Sequence, residues 1–216
     1  IEFTTEYDLK AQIKAKKFSN VYVLFGDEHY MIKHYVKSIV SSAVTELPEF
    51  NVAQFDGNVK MQDVYDSAVA FPMMSPLRVV TLCDYPVDKA TSSETEKLFT
   101  CIKDIPQTSI LILYFETVEI NPKKPGDKFS KLFGVVEEMG GTVCNISRKT
   151  VAEITKMLQL GAAKRQCKLE QAAARYMVET CSDDLSTLIN ELEKLKVEGY
   201  IFDLRSNLGG SLSGVV

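Results

Sequence analysis

The sequence has no Cys-x-x-Cys pair, only two histidines, no basic excess and no apolar run long enough to cross a membrane. Its five cysteines, at 83, 101, 144, 167 and 181, are odd in number and scattered. That fits reduced thiols in an intracellular chain better than a disulfide framework or a zinc ribbon. His29 and His34 stand five apart, about 140° round a helix, so they cannot share a metal on one face; no metal or other cofactor is expected. A formal net charge of -4 gives no support to a protein that coats nucleic acid, although a local basic patch remains open. No stretch approaches the ~18 apolar residues of a membrane helix. The N-terminus, "IEFTTEYDLK", lacks the basic and apolar regions of a secretory signal. The compartment reading is therefore cytoplasmic, with no membrane partner.

What is present is ordinary for a globular protein: 45% apolar and 25% charged residues in 216, enough for one sizeable domain and a smaller one. No repeat or low-complexity segment interrupts it. Five short apolar runs recur: "NVYVLF" (20–25), "NVAQFD" (51–56), "LRVVTLC" (77–83), "SILILYF" (109–115) and "GTVCNI" (141–146). Helical spacing separates them. From Glu28 to Leu47, residues Ile32, Val36, Ile39, Val40, Ala43 and Leu47 form one stripe. In "DKFSKLFGVVEEMGG", Phe129, Leu132, Phe133 and Val136 do the same, and Gly140 and Gly141 suit a C-terminal cap. Strands alternating with helices imply an α/β fold with a parallel five-stranded sheet covered on both faces.

After Ile146 strands cease. Thr150 to Glu153 is a capping box opening a helix over about 150–165. A second helix is expected over about 169–180. A third follows Ser182, with Asp183 and Asp184 at its positive end and Leu185, Leu188, Leu192 and Leu195 on one side. The expected division is an α/β domain over 1–147, a three-helix unit over 148–198 with Arg148 and Lys149 at the hinge, and an atypical tail over 199–216.

An α/β domain followed by a small helical lid is the AAA+ arrangement, and "NVYVLFGDEHYMI" begins as a nucleotide-binding loop begins: strand, glycine turn, helix. Yet Gly26-Asp27-Glu28 has no second glycine, no lysine and no Ser/Thr for magnesium. It places two carboxylates where phosphate oxygens would sit. ATP hydrolysis at this loop is not expected. The alternative, a degenerate nucleotide-binding protein or ATPase, rests on the strand–glycine–helix opening alone.

In order and spacing, "YVLFGDEHYMI", "FNVAQFDG", "FPMMSPLRVVTL" and "DDLSTLINELEKL" resemble the delta subunit family of the bacterial DNA polymerase III clamp loader, over about residues 18–198. The resemblance implies an AAA+-like (RecA-like) first domain without functional ATP binding, a three-helix second domain and a helical collar, which this chain would lack. It implies a noncatalytic subunit of the polymerase III holoenzyme that binds the sliding clamp (the beta subunit) and stabilises its open form during DNA replication. Partners would be the gamma/tau and delta prime subunits, with primed DNA reached indirectly.

Family members carry an exposed apolar pair in the segment matching "SAVAFPMMSPLR", and Met73 and Met74 occupy those positions, preceded by Phe71 and Pro72. Pro72 and Pro76 bracket the pair in a non-helical turn that follows a helix over about 61–70. Methionine is flexible and polarizable and adapts to apolar pockets, but offers less rigid contact than the aromatic residues often found there. The bland alternative is that both methionines fold back as core filler. Lys123, Lys124, Lys128 and Lys131, around "NPKKPGDKFSK", form a basic cluster that could meet DNA phosphates or merely solvate a helix start. Glu137 and Glu138 read as an exposed helix face without acid/base chemistry. The tail, "GYIFDLRSNLGGSLSGVV", resembles a short stretch of the carboxyl-terminal processing proteases, without their catalytic serine or lysine. It reads as foreign to the fold, and as no evidence of peptidase activity.

Overall fold

The computed structural model describes residues 3–181 and 184–194. The chain divides into two compact units between Arg148 and Lys149. In the first, strands β1 (Val21–Phe25), β2 (Val52–Asp56), β3 (Arg78–Cys83), β4 (Ser109–Tyr114) and β5 (Thr142–Asn145) form one sheet in the order β2-β3-β4-β1-β5. Every neighbouring pair is parallel. These are the five apolar runs of the sequence. The central strand β4 and its neighbour β1 are the most apolar for a physical reason: helices cover both faces of a parallel sheet, so β1 is buried at all five positions and β4 at its first five. At the β2 edge Gln54 and Asp56 are exposed, as an edge strand allows.

Helices α1 (Glu6–Ala15), α2 (His29–Ala43), α3 (Pro48–Asn51), α4 (Met61–Val69), α5 (Ser92–Asp104) and α6 (Asp127–Glu138) complete this unit. Helix α2 is shorter than its periodic stripe suggests. Val44 is already extended, and Leu47, at φ 47°, starts α3. The β-branched pair Val44-Thr45 propagates a helix poorly, and Pro48 bars the residue before it from the α region. Leu47 therefore leaves the stripe, while Met31 and Tyr35 join Ile32, Val36, Ile39 and Ala43 in the buried face. Helix α5 opens on a capping box of Thr91 and Glu94. Helix α6 buries Phe129, Leu132, Phe133 and Val136 and closes as its glycines suggest: Gly140, at φ 70°, and Gly141 donate to the carbonyls of Glu137 and Val136 at 2.9 and 2.8 Å. Phe25 of β1 stacks on Phe133 with centroids 5.1 Å apart, and Phe3 meets both rings edge-on.

The second unit contains α7 (Val151–Lys164), α8 (Gln171–Cys181) and α9 (Leu185–Lys194). Thr150 and Glu153 make both bonds of the capping box. Leu185, Leu188 and Leu192 are buried, and α7 meets α9 closely at Gly161, where a Cβ would come within 2.6 Å of Leu192 Cδ2. Asp184 caps α9 through the Thr187 N–H at 2.9 Å. Ser182, Asp183, Leu195 and the tail over 199–216 lie outside the described residues. Among the described residues no helix is long and apolar enough to cross a membrane.

Because Phe133 is fully buried against β1, Phe133→Ala should cost about 3–5 kcal/mol of stability, read as a lowered urea midpoint. A loss under about 1 kcal/mol would mean that the ring lies outside the cooperative core.

Candidate functional site

In open α/β sheets ligands bind at the carboxyl ends of the strands, where neighbouring connections run in opposite directions. Here that point is the β1/β4 boundary, since β1 leads away to β2 and β4 leads across to β5. The residues there close the crevice. The β1–α2 turn is only Gly26-Asp27-Glu28, and it is stitched to the end of β5: Ile146 N–H donates to Phe25 O at 2.7 Å, and Glu28 N–H to Ile146 O at 3.2 Å. Gly26 takes φ 132°, and a Cβ there would overlap the Ile146 carbonyl. So the turn needs glycine for close backbone approach, not for a phosphate. A phosphate cradle requires a longer loop with successive inward N–H groups, and one of this turn's N–H groups is already committed.

Carboxylates complete the picture. After β3, Asp84 accepts from the backbone N–H of Glu116 at 2.7 Å and of Thr117 at 3.1 Å, and from the Thr117 hydroxyl at 2.9 Å. After β4, Glu116 pairs with Lys33 of α2 at 2.8 Å. Burial tends to raise the Asp84 carboxyl, but the donors from Thr117 and Glu116 outweigh it and hold the group below its ordinary range. Asp27, Glu28, Asp84 and Glu116 thus occupy the turns at the ends of β1, β3 and β4, and their charge opposes a polyphosphate. Burial also pushes the Cys83 thiol up to about 11 and the Cys101 thiol up to about 12, so neither supplies a thiolate at neutral pH. His29 and His34 are both exposed on α2. Among the described residues no cluster of three or more His, Cys, Asp or Glu could hold a metal.

The apolar loop lies between α4 and β3. Phe71 is 88% exposed, Met74 80% and Met73 51%, while Pro72 is half-buried. The methionines are not core filler. Asn51, at the end of α3 and 0% exposed, grips the loop: its Nδ2 donates to Met73 O at 2.8 Å and its Oδ1 accepts from Met73 N–H at 2.7 Å. Arg78, the first residue of β3, donates from Nε to Ser67 O at 2.7 Å and from Nη1 to Phe50 O at 2.6 Å. Met74 sits at φ 51°, a left-handed conformation uncommon for a non-glycine residue. Phe50, 51% exposed beside Asn51, is a further apolar side chain that sequence reading missed; its only signal was a phenylalanine between Glu49 and Asn51 just after Pro48.

Of the four lysines, Lys123, Lys124 and Lys131 are exposed. The first two lie in a turn where Asn121 accepts from Lys123 N–H at 2.9 Å. Lys128 serves the fold: its ammonium donates to Asp88 O at 2.9 Å and Ala90 O at 2.7 Å, tying α6 to the β3–α5 connection.

A parallel sheet in this strand order, with helices on both faces, is an AAA+-like (RecA-like) fold. Solved structures agree on the fold. The Bacillus subtilis clamp loader delta protein YqeN is similar with a TM-score of 0.65 and 21% identity, over 88% of this chain and 56% of that one. Domain III of the Thermotoga maritima replication initiation protein DnaA gives 0.55 and 15%, over 88% and 80%. The Thermotoga maritima RuvB Holliday junction branch migration motor gives 0.53 and 16%, over 86% and 57%. The chain therefore spans little more than half the length of the Bacillus protein. No curated protein matches it. The family model for the DNA polymerase III delta subunit matches residues 22–136, more than half of the chain. The chain belongs to the DNA polymerase III delta subunit family.

With a carboxyl held below its unfolded value, Asp84 contributes stability that is present above about pH 4 and lost as pH falls through the folded-state value. Asp84→Asn should therefore cost about 1–3 kcal/mol at pH 7, and the gap from the parent should narrow progressively below about pH 4. A gap in urea midpoint that stays constant across this range would show that charge is not what the Glu116 and Thr117 donors recognise.

Proposed function

We propose that this chain is a delta-type clamp-loader subunit that binds the DNA polymerase sliding clamp through residues 71–74 and stabilises the open ring. The observation that carries the reading is the exposure of Phe71, Met73 and Met74 on a loop whose backbone is fixed from beneath. An apolar cluster held in water is unfavourable for an isolated chain and useful to a partner. Seating each side chain in an apolar pocket contributes roughly 1.5–3 kcal/mol before ordering costs. Those costs are reduced where the loop already holds its shape.

A subunit without chemistry of its own can open a ring only by binding the open form more tightly than the closed one, and it shifts the equilibrium by that difference alone. The closed crevice at β1 supports a noncatalytic role. In this reading ATP acts in the sister subunits, gamma/tau and delta prime, which expose or hide the clamp-binding face. Primed DNA is reached indirectly, with Lys123, Lys124 and Lys131 as secondary phosphate contacts, and the assembly works in the cytoplasm. No resident cofactor is required.

The test is capture of the cognate clamp by the Met73→Ala/Met74→Ala variant. Losing about 3 kcal/mol of contact should weaken binding by at least ~100-fold and leave the circular dichroism unchanged. Undiminished capture by a folded variant removes the assignment.

A further inference from the structure

We infer that Asn51 is a positioning residue for clamp binding: its side-chain amide acts as a latch that holds the Met73-Met74 loop in its displayed conformation before any partner arrives. This rests on the proposed clamp reading of the loop. The side chain is completely buried, yet both ends of its amide are engaged. Oδ1 accepts from Met73 N–H at 2.7 Å, and Nδ2 reaches Met73 O at 2.8 Å, Leu47 O at 3.1 Å and Glu46 O at 3.3 Å. The reciprocal pair on Met73 imitates a neighbouring strand, giving the loop a ladder partner that no backbone supplies at that point. The contacts to residues 46 and 47 fasten the same amide to the chain entering α3, so the loop is anchored to the turn that leads through α3 into β2.

No other side chain reproduces this set. Aspartate has no donors, serine and alanine are too short, and glutamine adds a methylene in a fully buried site. The Arg78 bonds to Ser67 O and Phe50 O hold the two flanks of the same site together. The consequence for binding is quantitative. Apparent affinity falls by the fraction of molecules that hold the competent conformation, so a loop displayed in a tenth of molecules binds about tenfold more weakly although no contact residue has changed.

Two measurements on the full chain decide the matter. In the unaltered protein, without clamp, the Met73 amide should exchange with deuterium at least about tenfold more slowly than an unstructured peptide, although the side chains around it are exposed. Fast exchange overturns the latch, and needs no substitution that could fail to fold. Asn51→Asp keeps the Oδ1 acceptor and removes the donors. With the circular dichroism retained, it should move the Met73 and Met74 methyl NMR signals toward free-peptide positions and weaken clamp binding by about tenfold. Displaced methyl signals with unchanged affinity overturn the positioning role. If Met73→Ala/Met74→Ala loses capture while Asn51→Asp keeps it, this inference alone has failed. If the double-alanine variant still captures the clamp, the clamp reading has failed and the positioning role with it.

Discussion

The sandwiching of β1 between β4 and β5 is the constraint from which the rest of the first unit follows. A parallel strand with partners on both sides and helices on both faces has almost no contact with water, so the side chains from Val21 to Phe25 are packed and apolar except for the Tyr22 hydroxyl, which accepts from the Ser19 N–H at 2.9 Å. That requirement sends the chain out of the sheet through a connection long enough to return in parallel, which in turn supplies the covering helices. It also sets Phe25 against Phe133, coupling β1 to α6. The turns at the carboxyl ends of the strands are then brought together as a by-product, whatever chemistry they carry.

The two ends of the strands are filled differently. At the β1/β4 boundary, where related architectures hold nucleotides, backbone and side-chain bonds have consumed the donors: Ile146 stitches the glycine turn, and Asp84 takes the N–H groups of residues 116 and 117. This is a filled polar network, stable because each buried group has a partner. At the amino end of β3, where α4 leads into the strand, buried polar groups also find partners, but these are main-chain atoms of an exposed loop. Asn51 and Arg78 spend their hydrogen bonds on main-chain atoms, which leaves Phe71, Met73 and Met74 to water. In one place polar bonding fills a crevice, and in the other it holds an apolar loop in water.

Cations show the same economy. Lys33 neutralises Glu116, and Lys128 satisfies the carbonyls of residues 88 and 90. A cluster of lysines in sequence therefore divides in space: Lys128 ties α6 to the β3–α5 connection, while Lys123, Lys124 and Lys131 remain on the surface. Charge counted along the chain overstates the basic surface, because a flexible ammonium is also the simplest donor for a stranded carbonyl.

The sequence by itself determined the five strands, the sheet's parallel character, the lack of phosphate-binding residues in the Gly26-Asp27-Glu28 turn and the Thr150–Glu153 capping box, because each rests on local spacing or local donors. Val21 to Phe25 and Ile110 to Leu113 could hardly be anything but buried strand, and Thr150 with Glu153 carries its bonding partners within one turn. The end of α2 was legible in Pro48 but masked by the apolar stripe that continued to Leu47. Tertiary structure alone decided strand order, the burial of Asn51, the commitment of Lys128 and the exposure of Phe50. Strand order, the Asn51–Met73 bonds and the Lys128 bonds join groups 20 or more residues apart in the chain, and no local pattern encodes such a meeting. The same holds for the methionine pair. An apolar dipeptide between prolines is equally compatible with core or surface, and only the folded chain, in which residue 51 bonds the backbone of residue 73 and both methionines are exposed, shows which.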